Sequence, residues 1–231
     1  MNKNASAAPS HATRPGRPRR GTERERADAL ICAATRVFLR EGYGLASIDK
    51  VASAAGASTR TIYERFKNKA DLLAAVISRL VDRDLQSVFS SEELDPLAPR
   101  EALTVIGRTL AQRITAPDPA ALYRIIVSEA HRFPELVERM RSCASLRVEN
   151  SIAAYLRNQT ARGSLAVSNA DAAAALFLHM LTGELREHLL LGDAAAIASF
   201  DFAAHVGRVV DLFLYGVVPR TKRRLRKTKP S

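Results

Sequence analysis

The chain has 231 residues and a net charge of +11; 47% of its residues are hydrophobic, and it has no Trp and two Cys. That length accommodates one large domain, or a small one followed by a larger one, with enough chain to bury a real core. No apolar run approaches the ~20 residues of a membrane span and no apolar signal stretch opens the chain, so the expected setting is the cytoplasm, with no membrane partner.

The charge is unevenly placed. Residues 1–22 hold Lys3, Arg14, Arg17, Arg19 and Arg20 and no acid, and residues 219–231 hold seven basic side chains and no acid. The body between them is close to neutral. Positive charge clustered at both ends suits a polyanion such as DNA. Cys32 and Cys143 fall in helical patterns and read as buried free thiols rather than a disulfide or redox switch.

Residues 1–21 are rich in Ala, Ser, Pro, Gly and Arg without an apolar period, and read as a disordered basic arm. A helix follows, with Thr22 and Glu25 as a capping box, Leu30, Ile31, Ala34 and Phe38 on one face, and Gly42 as a left-handed stop. A short helix carries Ile48, Val51, Ala52 and Ala55 at i, i+3, i+4 and i+7, and Gly56 breaks it. Ser58 caps a second short helix whose inward residues are Ile62 and Phe66. Asn68 caps a longer one with the stripe Leu72, Leu73, Val76, Ile77 and Leu80. The acidic, Pro-containing stretch 90–99 marks a boundary. Further helices are expected near 99–115, 119–131, 134–159, 169–191 and 199–217, with Ser168 and Asp171 capping the fourth. The predicted organisation is all-α: a basic arm (1–21), an N-terminal helix-turn-helix domain (22–89), a larger helical domain (90–218) and a basic tail (219–231).

Residues 48–66 have the form of a helix-turn-helix, which lays its second helix in the DNA major groove. With Ile62 and Phe66 inward, Arg60, Glu64 and Lys67 point outward at 100° per residue, and Thr59, Thr61 and Tyr63 flank them. Arg can bond guanine bidentately and Thr can touch a thymine methyl, while Tyr63, Lys67 and Lys69 suit phosphates. The arm residues Arg17, Arg19 and Arg20 could enter an adjacent minor groove.

The run Phe38…Glu41-Gly42-Tyr43, Ser47-Ile48…Val51-Ala52…Ala55-Gly56-Ala57-Ser58, Arg60-Thr61-Ile62-Tyr63…Phe66-Lys67-Asn68-Lys69…Leu72-Leu73 resembles the N-terminal domain of the tetracycline-repressor (TetR) family. The ending Val210–Gly216 resembles how many members end, and Leu122–Leu136, with Glu129 and Phe133-Pro134-Glu135-Leu136, resembles an AefR-like subgroup. The resemblance implies a homodimer that binds a near-palindromic double-stranded DNA operator, most often as a repressor, and is released by a small effector held in a C-terminal ligand-binding and dimerisation domain. Carried across by position, the DNA contacts are Ser47, Ser58, Thr59, Arg60, Thr61, Tyr63, Lys67 and Lys69. Ala46 stands where many members have Thr, removing a cap and phosphate contact. Arg60 replaces a frequent Gly. Glu64 replaces a phosphate-contacting residue and could instead pair with Arg60.

Effector candidates are Leu110, Tyr123, Phe133, Met140 and Tyr155, with Arg124 and His131 as polar anchors, which suits a lipophilic ligand. The helices at 169–191 and 199–217 are apolar enough to form a dimer interface, with Gly183 at a close approach and Phe213 within it. No phosphate loop, nucleophile elbow or zinc-protease motif is present, and the histidines do not converge, so no enzyme activity, cofactor or metal is expected. The alternative to a regulator is a helical ligand-binding module without specific DNA recognition.

Overall fold

The computed structural model describes residues 20–88, 94 and 96–215, and these form helices joined by turns. They are α1 (Arg20–Leu45), α2 (Ile48–Ala55), α3 (Thr59–Tyr63), α4 (Lys69–Val88), α5 (Pro99–Ile114), α6 (Pro117–Glu129), α7 (Glu135–Met140), a π-helical turn (Arg141–Ser145), α8 (Leu146–Ala161), α9 (Ala170–Leu191), α10 (Ala194–Ala198) and α11 (Phe202–Tyr215). There is no strand among the described residues.

Several boundaries differ from the sequence pattern, each for a local reason. Helix α1 begins at Arg20, so Thr22 is a helical residue and not its cap; a cap needs non-helical backbone. Gly42 does break α1, but with φ 75° and ψ 172°, after which one further turn runs to Leu45. That backbone is open only to glycine without strain. The segment 134–159 is not one α-helix, because the π-helical turn interrupts it. Asn169, not Ser168, caps α9, its Oδ1 accepting from the Ala172 N–H at 3.0 Å. The last expected helix is two: Asp193 caps α10, and α11 starts at Phe202 with Asp201 accepting from the Ala204 N–H at 2.9 Å. Cys32 is exposed and Cys143 half-buried, so the expectation of two buried thiols fails.

Two apolar cores form. One joins α1–α4 through Leu30, Ala34, Phe38, Val51, Ile62, Leu72, Leu73 and Val76, and it also takes in Leu122 and Ile126 of α6 and Leu136 of α7. The other joins α5, α8, α9 and α11 through Leu103, Ile106, Ile152, Leu156, Phe177, Leu181, Leu185 and Val206. Sequence order and core membership therefore disagree: α6 and α7 follow the 90–99 boundary in the chain yet pack on the helix-turn-helix side of it. At Gly107 α5 and α11 meet closely, since a Cβ there would lie 2.8 Å from Val206 Cγ1. Gly183 has nothing within 4 Å of that position. Phe213 packs inward on Phe177, with ring centroids 5.0 Å apart, so it belongs to the chain's own core and not to an outer face. The exposed large apolar side chains of α9 and α11 are Leu176, Met180, Leu190 and Leu191 on α9 and Leu212 and Tyr215 on α11.

Candidate functional site

Polar caps build the helix-turn-helix, one at the start of α2 and the others in the turn between α2 and α3. Ser47 Oγ accepts from the Lys50 N–H at 3.3 Å and caps α2. The cap that Ala46 seemed to remove is thus supplied one residue later, and Ala46 itself is buried. Gly56 ends α2 in the left-handed region at φ 61° and donates its N–H to the carbonyls of Ala52 and Ser53. Ser58 Oγ then accepts from the Thr61 N–H at 3.1 Å and lies 2.8 Å from Thr61 Oγ1. These caps satisfy helix-end donors that would otherwise need water.

Ile62 is fully buried and fixes the rotation of α3. As a result Ser58, Arg60, Thr61, Tyr63 and Lys67 are exposed together, with Ser47 and Thr59 half-exposed beside them. The Arg60 side chain is 88% exposed, and its Nε donates to Glu64 Oε1 at 3.1 Å. That i, i+4 pair holds the guanidinium without hiding its remaining donors. Tyr63 is 58% exposed.

Lys69 is a correction. Its ammonium does not join this surface: Nζ donates to the carbonyls of Tyr43 at 2.6 Å, Ala46 at 2.9 Å and Gly44 at 3.4 Å, and lies 4.3 Å from the centre of the Tyr43 ring. Three N–H groups are all an ammonium has. Burial lowers the Lys69 pKa, partly offset by Glu129 and Glu135. The residue is a clamp for the α1–α2 connection rather than a phosphate contact. Arg17, Arg19 and the side chain of Arg20 lie outside the described residues, as does the tail 219–231.

The clamp is one half of a joint between the helix-turn-helix and α6. Glu129, at the end of α6, accepts from the Gly44 N–H at 3.2 Å, and a side chain at Gly44 would crowd it, its Cβ lying 3.0 Å from Glu129 Oε1. Phe133 meets the Tyr43 ring edge-on at 4.9 Å. Burial and the neighbouring Glu135 push the Tyr43 hydroxyl up to about 12. Arg139 donates to Asp71 at 2.5 Å, and Arg147 pairs with Asp82, so α4 is tied to α7 and to α8.

Beyond the joint lies a cavity of about 120 Å³ bordered by α4 (Ile77, Leu80, Val81), α5 (Leu110, Arg113, Ile114), α6 (Pro119, Leu122, Tyr123, Ile126), the region of the π-helical turn (Met140, Ala144, Ser145), Val148 of α8 and α9 (Leu178, Arg186, Leu189). Three of the seven effector candidates, Leu110, Tyr123 and Met140, are on its wall. Four are not. Phe133 is spent in the joint, and Tyr155 is buried in the second core. His131 is exposed, and Arg124 borders a separate shallow groove with Leu39, Val127 and Leu190. The polar groups that do face the cavity are Arg113, Arg186 and Ser145, which sequence reading passed over. The arginines had a usable signal: each sits on an apolar helical stripe, Leu110-Arg113-Ile114 and Leu178-Arg186-Leu189. Arg186 lies 5.5 Å from the centre of the Tyr123 ring. A π-helical turn inside an α-helix is often found at a functional site, and here it faces the void.

The arrangement offers a solvent-facing recognition helix at one end and a small apolar cavity at the other, with α4 and α6 running between. Residues 30–76 match the model of bacterial regulatory proteins of the tetR family, and residues 101–216 match that of the AefR-like transcriptional repressor C-terminal domain. The chain is 39% identical over 64 residues to the HTH-type transcriptional activator FasR of Mycolicibacterium smegmatis, a stretch that is 28% of this chain and 29% of that protein's length. It is 27% identical over 188 residues to the HTH-type transcriptional regulator TtgR of Pseudomonas putida, covering 79% of this chain and 86% of the relative. A crystal structure of a TetR-type regulator from Mesorhizobium loti superposes with a TM-score of 0.71 at 23% identity, over 85% of this chain and 98% of that one, which shows a shared fold.

Proposed function

Because the chain belongs to the TetR family of bacterial regulatory proteins, with an AefR-like C-terminal domain, and is therefore a DNA-binding regulator of transcription and not an enzyme, we propose that it is a cytoplasmic, homodimeric repressor released from a near-palindromic operator by a small lipophilic effector. In this reading residues 22–89 are the DNA-binding head and 90–218 the effector-binding and dimerisation body, flanked by the basic arm and tail. Among the described residues no helix is long and apolar enough to cross a membrane.

The observation that carries the proposal is the course of α4. Its first residue clamps the connection into the helix-turn-helix, and its Ile77, Leu80 and Val81 border the cavity. At about 120 Å³ the cavity is smaller than the ~300–1,000 Å³ of sites for drug-sized ligands. An occupant would have to push the walls apart, and α4 would carry that shift to the head. DNA contact falls to Ser47, Ser58, Thr59, Arg60, Thr61, Tyr63 and Lys67. For the dimer, Leu176, Met180 and Gly183 recur at i, i+4 and i+7 on the outside of α9, and Leu212 and Tyr215 lie outside α11. A two-fold axis would cover the same patch from each subunit.

Genomic fragments retained by the purified protein would define the operator. On it, Arg60→Ala should cost about 1–3 kcal/mol and relax one base position, whereas Lys67→Ala should weaken all sequences alike and reduce the salt slope by about 1. Leu176→Glu should give monomers in sedimentation that bind the operator poorly, since each head alone makes few contacts. A wild-type monomer with tight operator binding would overturn the architecture.

A further inference from the structure

Resting on the effector reading of the same cavity, we propose that its ligand is an amphiphilic anion, an apolar body carrying one negatively charged head that Arg186 receives. The cavity wall is Leu, Ile, Val, Ala, Pro and Met apart from a few polar groups, and among these are two guanidinium groups and no carboxylate. A formal charge beside an apolar void is unfavourable unless something answers it.

Several arginines of the body are answered by acids. Arg100 bonds Asp211 at 2.9 Å, Arg139 bonds Asp71 at 2.5 Å, Arg157 bonds Asp171 at 2.8 Å, and Arg147 pairs with Asp82. Arg108, Arg124, Arg141 and Arg208 are exposed to solvent instead, and Arg186 fits neither case. It is half-buried on α9, its described contact is the face of Tyr123, and among the described residues no Asp or Glu pairs with it. Stacking on a ring meets one side of a guanidinium and leaves its in-plane N–H fork available. That fork matches a carboxylate or phosphate bidentately. No carboxylate lines the wall, so a cation would find no counter-charge there, and a neutral head would find only weaker partners such as the Ser145 hydroxyl. The apolar remainder of the wall selects the body of the ligand, and Arg186 selects its sign.

The test is calorimetric titration of the full chain with decanoate, 1-decanol and decylammonium, and with 2-naphthoate and 2-naphthol as the aromatic pair. A carboxylate should bind at least tenfold more tightly than its matching alcohol, and decylammonium least well; the tighter pair tells whether the body is aliphatic or aromatic. Arg186→Met should erase the acid-over-alcohol preference while keeping alcohol binding, and Arg186→Lys should keep most of the preference. Ala144→Phe, which fills the cavity from the π-helical turn, should abolish binding of every probe. Equal binding of acid and alcohol to the wild type, with both blocked by Ala144→Phe, overturns the anion and leaves the cavity as the effector site. Probes that bind Ala144→Phe as well as wild type remove the cavity reading and the anion with it. Carboxylates that fail to bind at millimolar concentration also overturn the proposal.

Discussion

Helix α6 meets two different surroundings along its thirteen residues. Near its C-terminus Glu129 is hydrogen-bonded to Gly44, in a joint where carbonyls, ammonium and rings are matched to one another. Earlier on the same helix Tyr123 borders a void and faces Arg186, which pairs with no acid among the described residues. A fully packed and satisfied joint resists deformation and moves as a unit, because interiors are close-packed and buried polar groups are costly to unpair. A wall with empty space on one side can shift at little cost. The contrast teaches how a small occupant could act at a distance: the body yields at the void, and the joint delivers the movement to the head intact.

The largest test of that contrast is a matched pair on one short stretch of chain. Leu136 is fully buried in the joint-side core, while Met140, one turn later, faces the cavity. Leu136→Ala should destabilise by about 2–5 kcal/mol, the cost of lost transfer energy plus a new void. Met140→Ala should cost less than about 2 kcal/mol, because part of its surface already lacks contact atoms. Denaturant melts followed by circular dichroism measure both. Equal losses would mean the two regions are packed alike, and the mechanical contrast would be gone.

Next comes the clamp. Lys69→Met keeps most of the stem and removes three donors, leaving the Tyr43, Gly44 and Ala46 carbonyls without them. Stability should fall by about 1–3 kcal/mol, with operator binding weakened but its salt slope unchanged. A phosphate contact would behave in the opposite way, sparing stability and lowering the slope by about 0.9. The slope therefore decides which role Lys69 has.

The difference between these two lysine roles also marks where sequence reading reached its limit. The periodicity of Ile48, Val51 and Ala52, the Ser58 cap, the inward Ile62 and the Arg60–Glu64 pair are all visible because they depend on residues within one or two turns. Lys69 was misplaced because its partners lie 23 to 26 residues back in the chain, around a break at Gly42. Phe133 and Tyr155 look like pocket aromatics by type, yet tertiary packing sends one to the joint and the other to the second core. The same holds for α6: its apolar face is legible, but which core it joins depends on the fold. Arg113 and Arg186 were readable as charges set on apolar stripes, a pattern that normally signals a functional partner or a snorkelling surface side chain, and only the cavity distinguishes the two.

The smallest effect is a pH dependence confined to the joint. The Tyr43 hydroxyl is pushed up to about 12 from the ordinary value near 10, first by burial and then by the adjacent Glu135. Its folded pKa is above its unfolded one, so between the two the unfolded chain binds fewer protons. Stability from this group is complete below about pH 10 and is lost as pH rises toward 12. Lys69 runs the other way, since its lowered folded pKa makes stability rise with pH below its ordinary value of 10.5. The two can be separated by difference. Tyr43→Phe retains the ring against Phe133 and Lys69 but has nothing to ionise, so wild type and variant share the Lys69 contribution to a first approximation. Denaturant melts at intervals from pH 8 to pH 11.5 should give a wild-type advantage over Tyr43→Phe that is constant up to about pH 10 and then shrinks or reverses. Parallel curves for wild type and Tyr43→Phe across the whole range would show that the Tyr43 hydroxyl is not held in a sealed joint.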